Sequence, residues 1–238
     1  MKSQAALLQE LIAQGEHQQQ DFKYKVDDAR KLARSVSAFA NTDGGRLLIG
    51  VRDDGSIHGV RSDEEIFMMH AAACKYCSPV PTIKFETLHV PTAPFGGKLC
   101  TVVICTVAPS AARPVFALEA EPADCDNTAA GHLHQHRSRT AYVRIDDENI
   151  AASPLHLAIW RQEARLQGEA FADTDEERAL LATLNEHPEG LTLNQALKAT
   201  SPLRITRQFA ITILARFIRF GLATLLRRDQ QWIVTPQA

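Results

Sequence analysis

The 238-residue chain has no uninterrupted apolar run of about 18 residues, so no segment reads as a membrane-spanning helix. Its N-terminal stretch, MKSQAALLQELIAQGEHQQQ, lacks both a long apolar core and a small-residue cleavage pattern, which argues against a secretory signal. Cysteine is scarce and odd in number, at five. A chain of this length builds a core without disulfide staples, so the pattern predicts reduced, mostly buried thiols and a cytoplasmic protein. An excess of either charge is also missing: 26 Lys plus Arg stand against 28 Asp plus Glu, a net of -2. That excludes a uniformly basic nucleic-acid coat and leaves room for local basic faces. Internal repeats and low-complexity tracts are absent. No Gly-x4-Gly-Lys-Ser/Thr loop supports P-loop ATP hydrolysis, and no Gly-x-Ser-x-Gly elbow supports a serine nucleophile. Cys74 and Cys77 form a lone Cys-x2-Cys pair, short of the paired knuckles a structural zinc site uses. His132, His134 and His136 alternate near Cys125; they could bind Zn²⁺ or Ni²⁺ if extended, but a lone histidine loop is more often simply solvated.

What is present is apolar patterning, 45% hydrophobic residues in all, enough for one large or two small domains. Leu7, Leu8, Leu11 and Ile12 mark a short amphipathic helix over 4–14, stopped by Gly15. Phe22, Tyr24 and Val26 alternate, predicting a half-buried strand within 18–26. Ala29, Leu32, Ala33, Val36, Phe39 and Ala40 follow helical spacing behind Asp27 and Asp28, which favour a helix N-terminus. Asn41 to Gly45 ends that helix, RLLIGV is a buried strand, and Asp53-Asp54-Gly55 is a tight turn. Ser62 to Glu65 reads as a capping box for a helix over 62–77. TIKFETLHV, KLCTVVICTV, VFAL and AYVRI are further strands, with a loop over 119–138. Ser153-Pro154 opens a helix running to about 167.

Beyond a linker over 168–175 the pattern changes. Helices are predicted over 176–186, 193–199 (capped by Thr192) and about 204–220, the last carrying Phe209, Ile213, Leu214, Phe217 and Ile218. Two strand-like segments follow around Arg228 to Gln230. This order resembles the winged helix-turn-helix family. From Leu191 onward, Lys198, Arg204, Arg207, Arg216, Arg219, Arg227 and Arg228 stand against the single acid Asp229, a local net of +6 that attracts phosphates. Arg204, Thr206, Arg207 and Gln208 at the start of the third helix are base-contact candidates, and Arg227 and Arg228 at the wing tip are backbone contacts. A winged helix used for dimerisation or protein docking has the same element order.

The front half resembles the Schlafen-type AlbA domain over about residues 10–155. The residues that carry the resemblance are Gly15-Glu16, Asp21-Phe22-Lys23, the block SAFANTDGGRLLIGVRDDGSIHGV at 37–60, Arg113-Pro114, and Ala141 to Arg144. The resemblance implies an α+β fold with a nucleic-acid-facing surface: domain 1–167 of this type, then a winged helix in 168–238. It further implies a carboxylate set as in the family's metal-dependent ribonucleases: Glu16, Asp21 and Asp53, with Asp54 adjacent, holding Mg²⁺ or Mn²⁺. Hard oxygen ligands suit such ions, the metal activates water, and Lys23 would offset transition-state charge. In a straight strand Glu16 and Asp21 point to opposite faces, so they meet only if the chain turns at His17–Gln20. Arg52 stands where it could pair with Asp53 or Asp54. Relatives are also described as ATP-binding, and backbone N–H groups over Asn41, Thr42, Gly44 and Gly45, with Arg113 and Arg144, form a candidate phosphate nest. The residues alone favour a plain helix-to-strand turn for these glycines, and a plain hairpin turn for Asp53-Asp54-Gly55.

Three functions stay open at this point. The first is a homodimeric DNA-binding transcriptional regulator, RNA being the alternative nucleic acid. The second is a metal-dependent endoribonuclease. The third is a protein-docking scaffold. No membrane partner is expected.

Overall fold

Alternation along two strands decides the architecture of the front half. In the computed structural model, which describes residues 3–60, 63–92, 97–119, 138–164 and 174–237, the front elements run as follows. They are α1 (Gln4–Ala13), β1 (Gln20–Lys23), α2 (Ala29–Asn41), β2 (Gly45–Ile49), α3 (Asp63–Cys74), β3 (Cys77–Ser78), β4 (Ile83–Pro91), β5 (Leu99–Val107), β6 (Phe116–Leu118), β7 (Arg139–Ile145) and β8 (Glu148–Ala151). One sheet has the order β1-β2-β5-β4, with β1 parallel to β2 and the remaining pairs antiparallel. Successive side chains of a strand face opposite sides. Leu47 and Ile49 of β2, with Val103, Cys105 and Val107 of β5, pack into one core with α2 and α3. Leu48 of β2, with Val102 and Ile104 of β5, packs into another with Leu8 and Leu11 of α1. Both faces are therefore covered, which is why RLLI and VVICTV read as continuous apolar runs.

A second, antiparallel sheet has the order β3-β6-β7-β8. The helix α2 touches both sheets: its Leu32, Val36 and Phe39 share a core with Leu47 and Ile49 of the first and Ala117 of the second. Ser35 through Asn41 are all buried. Small residues (Ala33, Ser37, Ala38, Ala40) let the backbones approach. Asp28 caps α2 by accepting the Arg30 N–H at 2.9 Å. The following turn is set by packing. A Cβ on Gly45 would lie 2.4 Å from the Phe39 ring, and Gly44, at φ +72°, faces Pro109 and the Val107 carbonyl.

The remaining elements are α4 (Pro154–Ala164), α5 (Asp175–Asn185), β9 (Leu191–Thr192), α6 (Leu193–Ala199), a 3-10 turn (Ser201–Leu203), α7 (Arg207–Arg219), β10 (Ala223–Arg228) and β11 (Gln231–Pro236). Their sheet has the order β10-β11-β9. Thr192 and Gln195 form a reciprocal capping box, as do Thr174 and Glu177. The core joins Leu155 and Ala158 of α4 to Leu180, Leu184, Ile213, Leu214 and Phe217. Gln162 ties α4 to α7 further: its Nε2 donates to the Thr212 carbonyl at 3.0 Å, and its carbonyl accepts from Arg219 Nη1 at 2.9 Å. The chain accordingly divides into the units Met1–Ala151 and Ala152–Ala238. The helix α4, which precedes the linker in sequence, packs in the second unit because its apolar side is completed by α7. The boundary thus falls before α4 and not at 167/168.

Secondary structure departs from the local patterns in two useful places. The last helix begins at Arg207, not 204: Arg204 sits at φ +53° and Thr206 is the N-cap, its Oγ1 accepting the Phe209 N–H at 3.2 Å. Phe209 is 41% exposed, so it is not a core residue. Ser62, most of the loop over 119–138, Cys125, His132, His134, His136 and the linker through 173 lie outside the described residues. Burial pushes the thiols of Cys77 and Cys105 up to about 12. Among the described residues no helix is long and apolar enough to cross a membrane.

Candidate nucleic-acid interface and carboxylate cluster

The chain does turn at His17–Gln20. The two residues exchange backbone hydrogen bonds, His17 N–H to Gln20 O at 2.9 Å and Gln20 N–H to His17 O at 3.0 Å. The turn brings Glu16 near Asp21, close enough for the two carboxyl groups to act on one another electrostatically. Glu16 Oε1 accepts the Phe22 N–H at 2.8 Å. Asp21 is 3% exposed. Its Oδ2 lies 2.6 Å from Lys23 Nζ, and its Oδ1 lies 3.3 Å from Arg144 Nη2. Ser35 Oγ is at 3.5 Å. Lys23 also donates to the Phe22 carbonyl at 2.8 Å.

Desolvation raises the Glu16 carboxyl above its ordinary value of 4.5, the adjacent Asp21 adds to the rise, and the Phe22 N–H opposes it. A carboxyl with a raised folded-state pKa stabilises the fold below its unfolded pKa, and that contribution is lost as pH rises through the raised value. Glu16→Gln keeps the acceptor for Phe22 and removes the titration. The stability of the variant relative to the parent should therefore increase from pH 4 to pH 7, read by urea unfolding. A difference that is flat or declines over that window contradicts the assignment.

Asp53 and Asp54 stand apart from this cluster, exposed in their turn. Asp54 Oδ1 accepts the Ser56 N–H at 2.8 Å, and the Ser56 side-chain and backbone bonds hold its carboxyl below the usual range. Arg52 does not clamp either acid; its guanidinium lies over the Tyr24 ring, 4.7 Å from the centroid. Among the described residues, no three His, Cys, Asp or Glu side chains converge as a metal site. A hard divalent cation needs several free oxygens. Here Asp21 already faces two cations and Asp53 lies outside the cluster, so this donor set does not fit Mg²⁺ or Mn²⁺.

The candidate phosphate nest is internal scaffolding. Asn41 is 2% exposed. Its Nδ2 donates to the carbonyls of Val115 (2.8 Å) and Tyr142 (2.9 Å), and its Oδ1 accepts the Val115 N–H at 2.7 Å. Thr42 Oγ1 donates back to the Ala38 carbonyl at 2.5 Å. Gly44 and Gly45 serve the close packing described above. Arg144 is 1% exposed; besides Asp21 it donates to the Gln20 carbonyl (3.3 Å) and Asn149 Oδ1 (3.0 Å), and it lies over Phe39. Neither Asn41 nor Arg144 can reach an external anion. Arg113 is half-buried and engaged within the fold.

A basic surface missed by the motifs lies elsewhere in the first unit. Arg30, Lys31 and Arg34 of α2, with Thr140 and Tyr142, line a cavity of about 300 Å³. The i, i+1, i+4 spacing of three cations on the polar side of α2 is the sequence signal for it. Asp28 and Glu119, which line the same cavity, offset part of this charge, Asp28 at 3.4 Å from Arg30 Nε.

In the second unit the candidate readers are on the surface. Thr206, Arg207, Gln208 and Arg204 are exposed around the first turn of α7. Arg207 Nη1 donates to Asn194 Oδ1 at 2.6 Å. At the β10–β11 tip, Arg227 donates to Gln230 Oε1, and Arg228 Nη1 donates to the Glu189 carbonyl at 3.2 Å. The +6 count overstates the usable charge. Arg216 is paired at 2.7 Å with Glu177, which is 1% exposed and lies before the counted stretch.

The profile of the Schlafen, AlbA_2 family matches residues 16–153. Among solved structures, the chain aligns with the DIP2311 protein of Corynebacterium diphtheriae at 18% identity and a TM-score of 0.39. That alignment covers 81% of this chain and 36% of the other, so the present chain spans about a third of its length. The likeness is too low to establish a shared fold. The family match covers more than half of the chain, including the turn that joins Glu16 to Asp21, the α2–β2 block and the β7 arginine. The chain belongs to the Schlafen AlbA_2 family, which is associated with nucleic-acid binding.

Proposed function

We propose that this chain is a DNA-binding transcriptional regulator whose second unit is a winged helix and whose α7 is the reading helix. The observation that carries this is the exposed first turn of α7, where Thr206, Arg207 and Gln208 stand together beyond the core with Arg204 beside them. Arg and Gln side chains at a helix start suit bidentate contact with base edges. The β10–β11 tip supplies Arg227 and Arg228 as backbone contacts, and family membership supports nucleic acid as the partner. The cations of α2 offer the first unit a second phosphate contact. Winged-helix readers commonly pair over half-sites about one helical turn apart, so the working form is a homodimer.

The test is binding to duplex DNA at 50 and 200 mM salt. Three or four phosphate contacts give a log–log slope of about -3 to -4. Arg204→Glu with Arg207→Glu should weaken binding about tenfold or more. A flat salt response, or an unchanged affinity in the double variant, removes α7 as the reader. Tighter binding to single-stranded or structured RNA than to duplex DNA would reassign the partner.

A further inference from the structure

In the second unit a cavity of about 360 Å³ opens among the starts of α4, α6 and α7 and the strand β11. Pro154, Leu193 and Trp232 supply its apolar wall; Asn194, Arg207 and Gln231 supply its polar groups. Arg207 is the one charged residue of the lining. Among the described residues its polar partner is Asn194 alone, which fixes the guanidinium through Nη1 and leaves the rest of the fork available.

The wall behind Trp232 is held in place and carries no charge near neutral pH. His156 packs against Trp232 as a T-shaped pair with centroids 4.3 Å apart. His156 Nδ1 accepts the Ser153 N–H at 3.2 Å and lies 2.8 Å from Ser153 Oγ. Burial pushes His156 down to about 4, so the imidazole is neutral at pH 7.

A cavity of this size lies at the low end for small-molecule sites, large enough for one or two rings. A flat aromatic wall favours a planar body, through stacking and area burial. A single oriented guanidinium favours one carboxylate, which it can grip bidentately. A dianionic phosphate would meet only one positive charge. We propose that this cavity binds a planar aromatic carboxylate, with its ring against Trp232 and its carboxylate on Arg207. The consequence rests on the proposed function: a ligand holding Arg207 takes that guanidinium away from nucleic acid and adds a negative charge at the reading turn, so ligand and DNA exclude one another.

The probes are naphthoate, its neutral amide and adenosine monophosphate, titrated into the full-length chain by calorimetry without DNA. Naphthoate should bind saturably with a Kd below about 1 mM. The amide should bind about tenfold more weakly, a comparison that needs no variant. Arg207→Gln should weaken naphthoate about tenfold and Arg207→Lys less, with unchanged thermal melts, because the residue is exposed. Trp232→Leu should weaken naphthoate and amide alike. No saturable naphthoate binding, or equal affinity for naphthoate and amide, overturns the proposal. Preference for adenosine monophosphate over naphthoate also overturns it and would give the pocket to a nucleotide base. Saturating naphthoate should then weaken duplex binding at least about tenfold. If naphthoate binds through Arg207 and the chain ignores DNA, the pocket stands and the regulator assignment falls; if DNA binds and naphthoate does not, the pocket alone falls.

Discussion

Replacing Arg144 with methionine should destabilise the first unit by about 3–5 kcal/mol, the usual result of removing one member of a buried ion pair. Arg144 and Asp21 are 1% and 4% exposed at their side chains, so the change leaves the Asp21 carboxyl without its buried cation in a site with little water. Lys23, at 2.6 Å from Asp21 and one-third exposed, retains part of the compensation and places the loss toward the low end of the range. The change also removes donors from the Gln20 carbonyl and Asn149 Oδ1. Asp21→Asn in the same chain should recover part of the loss, because the stranded charge is gone. Urea unfolding of the single and double variants measures the coupling. A single-variant loss under about 1 kcal/mol would mean that the pair does not hold the fold. If Arg144 were instead a phosphate ligand, its replacement would weaken nucleic-acid binding and leave the unfolding midpoint unchanged.

Asn41→Ala should be nearly as severe. The substitution strips the Val115 N–H of its 2.7 Å acceptor and the Tyr142 carbonyl of its 2.9 Å donor. Each buried group left without a partner costs about 1–3 kcal/mol, giving about 2–6 kcal/mol together. The Val115 carbonyl is less affected, since Ser37 Oγ also donates to it at 2.8 Å. A shifted denaturation midpoint with an unchanged affinity per folded molecule is the expected outcome. Weakened nucleotide or phosphate binding without loss of stability would restore the nest at the α2–β2 turn.

Both predictions concern residues whose role could not be read locally. Asn-Thr-Asp-Gly-Gly reads first as a turn, yet its backbone N–H groups also suit an anion nest. The choice was made by Val115 and Tyr142, more than 70 residues away in the chain, which surround the Asn41 amide. Arg144 meets Asp21 across 123 residues. The carboxylate set is a mixed case: the turn at His17–Gln20 unites Glu16 with Asp21, as it must for them to meet, yet Asp53 stays in its own exposed turn.

Local physics made much of the frame legible in the residues themselves. Helical periodicity marked α2 and α7, continuous apolar runs marked β2 and β5, and Thr192 announced its cap, because side-chain spacing and capping depend on near neighbours alone; the α+β class came from the resemblance of the front half to its family. The tertiary structure decided the rest. It placed α4 in the second unit, matched Arg216 to Glu177, turned Arg144 inward and left Arg207 beside Trp232 at an open cavity. Such outcomes depend on which faces distant segments present to one another once the cores close, and buried charges and amides must then find partners wherever packing has put them.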